Sequence, residues 1–346
     1  MINLSKSRLP SPLIQTVPVD PGTKWVPDTT IVIDAPPDDD CNPLPEAQWS
    51  AQAVRTGICG SVAPRVITLP DGRYRMYYTQ ILPRAGFPNG ANDYDNASTR
   101  ILSAISTDGQ TWTPEPGVRL SPQDGGAGHF RVVCGDVVPA DEDQLRMYYE
   151  ACPGTQQEAN ALRSAISNDG GLTWMPEPGD RLTNGQATYS SARIVFLEDG
   201  RIRLYCGEMR RGMISAISND GGLTFEPEDG LRIPPGGLCD FTTAFAPEII
   251  RLTEGHYLMY YAAYRTPKRA YILSATSDDG LIWHPHPEPI ISPVPNTWGA
   301  AKCSEMCIFQ LPQQSGEAPR YRMVYEACDG TTSDERGVWR IVGATV

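Results

Sequence analysis

The stretch SAISNDGGLTWMPEPG, from Ser164 to Gly179, occurs in four related copies and decides the fold. The other copies begin at Ser103, Ser215 and Ser274 and align with it over their central residues. So long a match indicates an internal structural repeat. In each copy the Asp-Gly pair predicts a tight turn, because Gly adopts a positive φ without steric penalty. We call these copies the turn segments.

Two predicted strands precede each turn segment. The nearer one is rich in tyrosine, as in the stretch YRMYY that starts at Tyr74, and we call it the tyrosine strand. Five tyrosine strands occur, beginning at Arg73, Leu145, Ile202, Tyr257 and Tyr321. The strand before each of them, here called the inner strand, is apolar on both faces, which suits a strand packed between neighbouring sheets. The sequence therefore predicts five units of four strands.

Such a repeat predicts an all-β fold, a five-bladed β-propeller that takes up residues 1–346 as a single domain. The fifth unit reaches Val346 without a turn segment of its own, whereas residues 24–33 (KWVPDTTIVI) resemble the missing piece. We therefore expect the N-terminal strand to form the outer strand of the last blade, which would protect the sheet edges of the ring.

Composition limits the partners and the location. The formal net charge of −12 would repel phosphate backbones, so nucleic acid is not an expected partner. No apolar run approaches the roughly 18 residues that cross a bilayer, and the N-terminal residues lack the apolar core of a secretory signal. A cytoplasmic protein without a membrane partner is expected. Nine cysteines without CxxC pairs or His-rich spacing predict reduced thiols, and neither a metal nor a cofactor is predicted.

The SxDGxTW pattern within the turn segments resembles the Asp-box of sialidases and other propeller glycosidases. One copy comprises Ser167, Asp169, Gly170 and Trp174. The resemblance implies that these turns lie on the face opposite an active site. We therefore expect them to be structural and look for chemistry at the other end of the inner strands, which we call the mouth.

The architecture resembles that of arabinanases, β-xylosidases and invertases, whose three carboxylates stand near the starts of inner strands. This resemblance implies a carbohydrate-active enzyme, most simply a glycoside hydrolase, acting on a small-molecule or oligosaccharide substrate. The arabinanase-like families tend to have Asp-Pro where this sequence has Ala63-Pro64 and Ala246-Pro247. The first carboxylate of the usual trio is therefore missing.

Alignment of the inner strands puts four charged residues at one equivalent position near the mouth, namely Arg65, Asp136, Arg193 and Glu248. The predicted catalytic residues are Asp136, Glu248 and Glu305, with His129 as a candidate for proton transfer. The predicted substrate-binding residues are Arg65, Arg193, Glu150, Asp240 and Tyr189. Because guanidinium groups pair with carboxylates, the two arginines suggest an anionic sugar.

Three alternatives stay open at this point. The four charged residues alternate in sign, so they could neutralise one another as a plug of the channel. The missing Asp-Pro motif and the Arg, Cys and His residues near the mouth favour a lyase, an isomerase or a biosynthetic cyclase on the same scaffold. A non-catalytic ligand-binding propeller is the third alternative, and full self-pairing of the charged residues would favour it.

Overall fold

The computed structural model describes residues 16–17, 19–34, 59–83, 97–124, 131–154, 158–237, 243–252, 255–266, 268–312, 317–330 and 337–346. In these ranges the regular secondary structure consists of 21 β-strands, which agrees with the predicted all-β class. Nowhere in the same ranges is there a helix with the length and apolar character needed to traverse a membrane.

Antiparallel pairing groups the strands into five units of four. Unit 1 contains β3 (Cys59–Thr68), β4 (Tyr74–Pro83), β5 (Ala97–Ser106) and β6 (Thr113–Pro114). Unit 2 contains β7 (Arg131–Asp141), β8 (Gln144–Cys152), β9 (Ala161–Ser167) and β10 (Met175–Pro176). Unit 3 contains β11 (Tyr189–Phe196), β12 (Ile202–Glu208), β13 (Gly212–Ser218) and β14 (Glu226–Pro227). In each unit the inner strand comes first and the tyrosine strand second.

The last two units follow the same order until the final strand. Unit 4 contains β15 (Thr243–Leu252), β16 (Tyr257–Thr266), β17 (Arg269–Ser277) and β18 (His284–Pro285). Unit 5 contains β19 (Lys302–Gln310), β20 (Tyr321–Cys328), β21 (Val338–Thr345) and, from the other end of the chain, β2 (Val26–Ile33). The two-residue strand β1 (Thr16–Val17) pairs in parallel with β15. β2, from the N-terminal part of the chain, thus supplies the fourth strand of unit 5.

The inner strands lie side by side at the centre. Each of them contacts the inner strands of the units before and after it, and β19 of unit 5 contacts β3 of unit 1. Parallel pairing of β17 with β19 and of β21 with β3 adds backbone contacts at the two borders of unit 5. Buried apolar clusters fill the spaces between neighbouring units, for example Tyr77 with Val137 and Trp174.

The turn segments are held by one repeated set of hydrogen bonds. In unit 2 the Asp169 carboxylate accepts from the Leu172 and Thr173 amides, each at 3.0 Å, and from the Ser167 hydroxyl at 2.8 Å. Although burial works against the charge, hydrogen bonds led by those of Thr173 hold the pKa of Asp169 well below its usual range. The turn is therefore a capped structural element.

A fifth copy of this turn lies at the N-terminus, ahead of β2. The Gly22 amide donates to the Asp20 carboxylate at 2.7 Å, and Gly22 has a φ of 80°. The indole of Trp25 donates to the Gly22 carbonyl at 3.1 Å, just as Trp174 donates to Gly171 at 3.0 Å. The sequence repeat did not reveal this turn, because prolines replace the usual Ser and first Gly in VPVDPGTKW.

Tyrosine hydroxyls connect units 1 to 4 each to the turn of the next unit. The donor and acceptor pairs are Tyr77 with Gly171 O (3.0 Å), Tyr148 with Gly222 O (3.0 Å), Tyr205 with Gly280 O (2.7 Å) and Tyr260 with Gly22 O (2.5 Å). At the border of unit 5 with unit 1 the equivalent residue is Val324, and an edge-to-face contact of Trp112 with Phe309 (6.3 Å) lies there instead. Four of the five borders therefore share one polar contact.

Candidate functional site

A β-bulge interrupts all five inner strands at the same place, near the mouth. Two inner-strand residues there face one residue of the tyrosine strand. Three of the bulges begin with a non-glycine residue at positive φ: Ala63 (51°), Ser191 (55°) and Ala246 (49°). Because each bulge turns the following side chains, it separates a buried layer of charges from a second layer closer to the mouth.

The buried layer is the set of charged residues that the alignment of inner strands singled out. Arg65 lies 2.5 Å from Asp136 and 2.9 Å from Glu248, and Arg193 lies 3.0 Å from Glu248. Backbone amides of Ile194 and Ile308 donate to the two carboxylates at 2.7 and 3.2 Å. Asp136 and Glu248 are each 0% exposed.

The ion pairs in this layer satisfy one another. Although burial disfavours a charged guanidinium, the charges of Asp136 and Glu248 raise the pKa of Arg65. The thiol of Cys307, the fifth member of the layer, accepts a hydrogen bond from Arg65 at 3.5 Å, and burial raises its pKa to about 12. The buried layer therefore has the geometry of the channel plug considered above, in which the four charges neutralise one another. Neither of its carboxylates is presented to solvent.

The second layer contains three glutamates, which we call the glutamate trio: Glu150, Glu305 and Glu326. Glu150 and Glu326 lie two residues before the ends of the tyrosine strands of units 2 and 5, and Glu305 lies in the bulge of β19. Their exposures are 6%, 7% and 6%, so they are largely desolvated yet closer to solvent than the buried layer. The trio therefore places three carboxyl groups together at the mouth.

Ser191 connects two members of the trio. Its backbone amide donates to Glu150 Oε1 at 2.7 Å, and its hydroxyl donates to Glu305 Oε1. Glu305 Oε2 is buried and has no hydrogen-bond partner among the described residues. Each of the two glutamates is therefore oriented through one oxygen, and for Glu305 the second oxygen is left without a protein partner in the described structure.

Glu326 accepts hydrogen bonds at both carboxyl oxygens, whereas the other two glutamates each accept at one oxygen among the described residues. The Ser304 hydroxyl donates to its Oε1 at 2.5 Å, and the Ala63 amide donates to its Oε2 at 3.0 Å. In unit 1 the equivalent residue is Thr79, whose hydroxyl accepts from the Cys134 amide at 2.9 Å. Three residues thus share one structural role, which is to accept a hydrogen bond from a backbone amide in the inner-strand bulge of the next unit: Thr79, Glu150 and Glu326.

All three glutamates of the trio have pKa values raised above the usual range of glutamate. Burial, followed by the charge of Glu305, raises the pKa of Glu150 to about 8 and that of Glu326 to about 8. Burial also raises the pKa of Glu305, but Arg193 and the Ser191 hydroxyl act in the opposite direction. At neutral pH Glu150 and Glu326 therefore retain protons, and for Glu305 the charge of Arg193 is the largest influence that opposes the effect of burial.

Beside Glu326 lies a cationic side chain flanked by two aromatic rings. The Lys302 ammonium is 5.9 Å from the centroid of Tyr264 and 5.6 Å from that of Trp339. Phe245 stacks on Tyr264 with a centroid distance of 5.5 Å and an interplanar angle of 15°. Lys302 and Tyr264 are partly exposed, so this group forms a surface beside the trio.

The structure places the remaining predicted residues as follows. His129 and Asp240 lie outside the described residues. Tyr189 is 1% exposed within the apolar cluster of unit 3, and burial raises its pKa to about 12, so its ring is turned to the core rather than to the mouth. Arg65 and Arg193 are held in the buried layer, so neither guanidinium is presented to the mouth as an anion clamp.

Some residues at the mouth were missed by sequence reasoning. Ser191 carries a weak signal, because it is the one hydroxyl residue in a column that otherwise contains Ala63, Cys134, Ala246 and Glu305. Lys302, Tyr264 and Trp339 carry none, since they come from different strands and meet only after the units pack.

Two open clefts lie on the mouth side of units 2 and 3. One of about 330 Å³ is lined by Thr188, Glu208 and Arg210, and another of about 300 Å³ by Asn160, Arg163 and Asp180. Neither is lined by the trio. In the part of the chain that the structure covers, no three His, Cys, Asp or Glu side chains are grouped so that they could hold a metal ion.

A family model described as BNR repeat-like domain matches residues 84–316, which is more than half of the chain. A search of the curated proteins found no match.

Three of the solved structures with a similar fold are enzymes that act on carbohydrates. A thermostable family-43 glycoside hydrolase has a TM-score of 0.64 and 18% identity, covering 86% of this chain and 92% of its own. An exo-1,5-alpha-L-arabinanase from a bovine ruminal metagenomic library has a TM-score of 0.58 and 15% identity, covering 86% and 96%. An N-acetylgalactosamine deacetylase from F. plautii, solved with blood group B trisaccharide, has a TM-score of 0.60 and 16% identity, covering 89% and 95%. Identities this low establish a shared β-propeller-like fold and nothing further.

Proposed function

Because the chain belongs to the BNR repeat-like domain family, we propose that it is a carbohydrate-active enzyme, a glycoside hydrolase whose chemistry resides in the glutamate trio. The single observation that carries this proposal is the pairing of Glu150 and Glu305 through Ser191. The fold neighbours that act on glycans support the substrate class. We further propose that the five units are the blades of one propeller domain.

The two glutamates have the complementary properties that glycosidic cleavage requires. One carboxyl group must donate a proton to the leaving oxygen, and one carboxylate must act as nucleophile or activate water. Glu150, with a pKa of about 8, is protonated at neutral pH and suits the acid. Glu305, with Arg193 nearby and Oε2 without a protein partner among the described residues, suits the base or nucleophile.

This assignment differs from the residues that the alignment of inner strands favoured. Of the predicted catalytic residues, Glu305 is kept, whereas Asp136 and Glu248 become structural ion-pair partners in the proposal. Glu150, predicted as a substrate-binding residue, is proposed as the acid. The reason is access: the buried layer is 0% exposed at both carboxylates, whereas the trio borders the mouth.

The test is hydrolysis of a panel of glycosides by the wild-type protein and by Glu150→Gln, Glu305→Gln and Glu305→Ala. We expect the wild type to cleave at least one glycoside, and each Gln variant to lose about 10²–10⁴-fold in kcat. Azide or formate should partly restore Glu305→Ala, because a small anion can enter the space that the carboxylate leaves. Glu226→Gln, an exposed change on β14 at the opposite end, is the matched control.

A ligand-binding protein without catalysis is the second candidate, favoured by the complete self-pairing of the buried layer. It predicts that glycans bind to the wild type and are never cleaved. Cleavage abolished by Glu305→Gln, with unchanged folding by circular dichroism, would exclude it; intact cleavage in both Gln variants would exclude the proposed pair.

A further inference from the structure

Lys302 lies at the start of β19, on the mouth side of unit 5, and its charge acts on Glu326 of the glutamate trio. The ring of Tyr264 comes from β16 of unit 4 and that of Trp339 from β21 of unit 5, so two units fix its position. Attraction between an ammonium group and aromatic faces within about 6 Å holds such a side chain in place without using its N–H donors.

These N–H donors have no acceptor among the described residues. Glu326 is the adjacent carboxyl group, but its oxygens already accept from Ser304 and Ala63. Its pKa of about 8 also leaves it mostly neutral at pH 7, so it is a weak counter-ion. A cation that is partly desolvated by aromatic rings and lacks a full counter-charge favours an incoming anion.

The aromatic surface next to the ammonium is suited to a sugar ring. Phe245 and Tyr264 are stacked and partly exposed, and both rings lie on the mouth side of unit 4. Apolar C–H faces of sugars pack on aromatic rings, while a ring substituent reaches past the edge. A sugar that carries a carboxylate would satisfy both the rings and the ammonium.

We propose that Lys302, held between Tyr264 and Trp339, binds the carboxylate of an acidic sugar unit and makes the site selective for uronate-like or sialate-like substrates. This inference rests on the proposed function, because it names the substrate class of the same mouth. It assigns to Lys302 the anion-binding role that the sequence suggested for Arg65 and Arg193.

The experiment measures binding, so that it does not depend on turnover. D-glucuronate, D-galacturonate and N-acetylneuraminate are each compared with their methyl esters by saturation-transfer NMR and calorimetry. The comparison is made with the wild type and with Glu305→Gln, and each is combined with Lys302→Gln, Lys302→Arg or Lys24→Gln. Lys24 is an exposed lysine in the fifth turn, at the opposite end of the molecule, and controls for net charge.

We expect at least one acid to bind about tenfold or more tightly than its ester, a difference of about 1.4 kcal/mol. Lys302→Gln should abolish that preference, whereas Lys302→Arg and Lys24→Gln should keep it. The inference is overturned if no acid binds better than its ester, or if Lys302→Gln leaves the preference intact. A Lys302-dependent preference without any hydrolysis would instead refute the proposed function and leave the subsite standing.

Discussion

Ser191 shows how much a single residue determines at the mouth. Its φ of 55° is uncommon for a residue with a side chain, and a bulge with neighbours on both sides stabilises it there. In that conformation its amide reaches Glu150 and its hydroxyl reaches Glu305. Ala63 and Ala246 adopt the same conformation but offer no hydroxyl. The serine therefore distinguishes the unit 3 bulge as the point where two carboxyl groups are aligned.

Mutual repulsion within the trio can be measured directly. Glu305→Gln removes a charge that raises the pKa of both Glu150 and Glu326, so both pKa values should fall from about 8 toward the usual range of glutamate. A carboxyl ¹³C NMR titration of labelled protein checks this, with Glu226→Gln as the control. Unchanged values for Glu150 and Glu326 would mean that burial alone sets them.

Glu248 should behave as a structural residue. Glu248→Gln leaves Arg65 and Arg193 buried with one carboxylate fewer, and loss of one partner of a buried ion pair typically costs about 3–5 kcal/mol. We expect a lower Tm and a lower urea midpoint. Full stability combined with loss of hydrolysis would instead return Glu248 to the catalytic role that the sequence suggested.

At the level of elements, the five bulges do what a regular strand cannot. Side chains alternate strictly along an unbroken strand, so residues two apart share a face. The extra residue resets this alternation, and Glu305 in β19 consequently reaches the trio while Cys307 joins the buried layer. The same device in every unit produces two stacked layers of polar residues around the centre.

The N-terminal turn should contribute as much to the free energy of unfolding as an internal turn does. Tyr260→Phe removes the hydroxyl that donates to Gly22, and Tyr205→Phe removes the matching donor to Gly280. Each change should lower the free energy of unfolding by about 1 kcal/mol, because a buried carbonyl loses its partner. Thermal melts measure the effect. Tyr271→Phe, at a partly exposed residue, is the control. The prediction is contradicted if Tyr260→Phe lowers the stability no more than this control does.

The strands and turns were predictable because each depends on residues close together in sequence. Alternation in YRMYY and the Asp-Gly turn recur often enough to locate four strands per unit. The fifth turn was missed because Pro21 stands where the other copies have glycine. The site was only half predictable, since Asp136 and Glu150 lie in adjacent strands and only the bulge and the packing of units decide which one borders the mouth.

The whole molecule should be most stable under mildly acidic conditions. Glu150 and Glu326 keep protons in the folded state up to about pH 8, whereas the unfolded chain releases them near the glutamate value of 4.5. Stability therefore falls as pH rises from about 4.5 to 8, on the order of a few kcal/mol per group, and levels off above. Differential scanning calorimetry should show Tm decreasing across this window.

Two variants, together with measurements at low pH, complete the test of how Tm depends on pH. Glu150→Gln and Glu326→Gln should each flatten the decline, whereas Glu226→Gln should not. Below pH 3.8 the trend reverses, because Asp169 and Asp220 have lowered pKa values and lose their turn hydrogen bonds when protonated. A Tm that stays level or rises between pH 5 and 8 would contradict the protonation assigned to the trio.

The pairing of Val26 with Thr345 limits when unit 5 can form, because the two paired strands lie far apart in the sequence. A ribosome that adds 5–20 residues per second makes β21 roughly 15–60 s after β2, so the first strand of unit 5 to be synthesised waits for the last. During that interval β2 lacks the strand that it pairs with. Unit 5 is therefore completed only after β21 has been synthesised, and until then the nascent chain carries β2 without the strand that it pairs with in the folded structure.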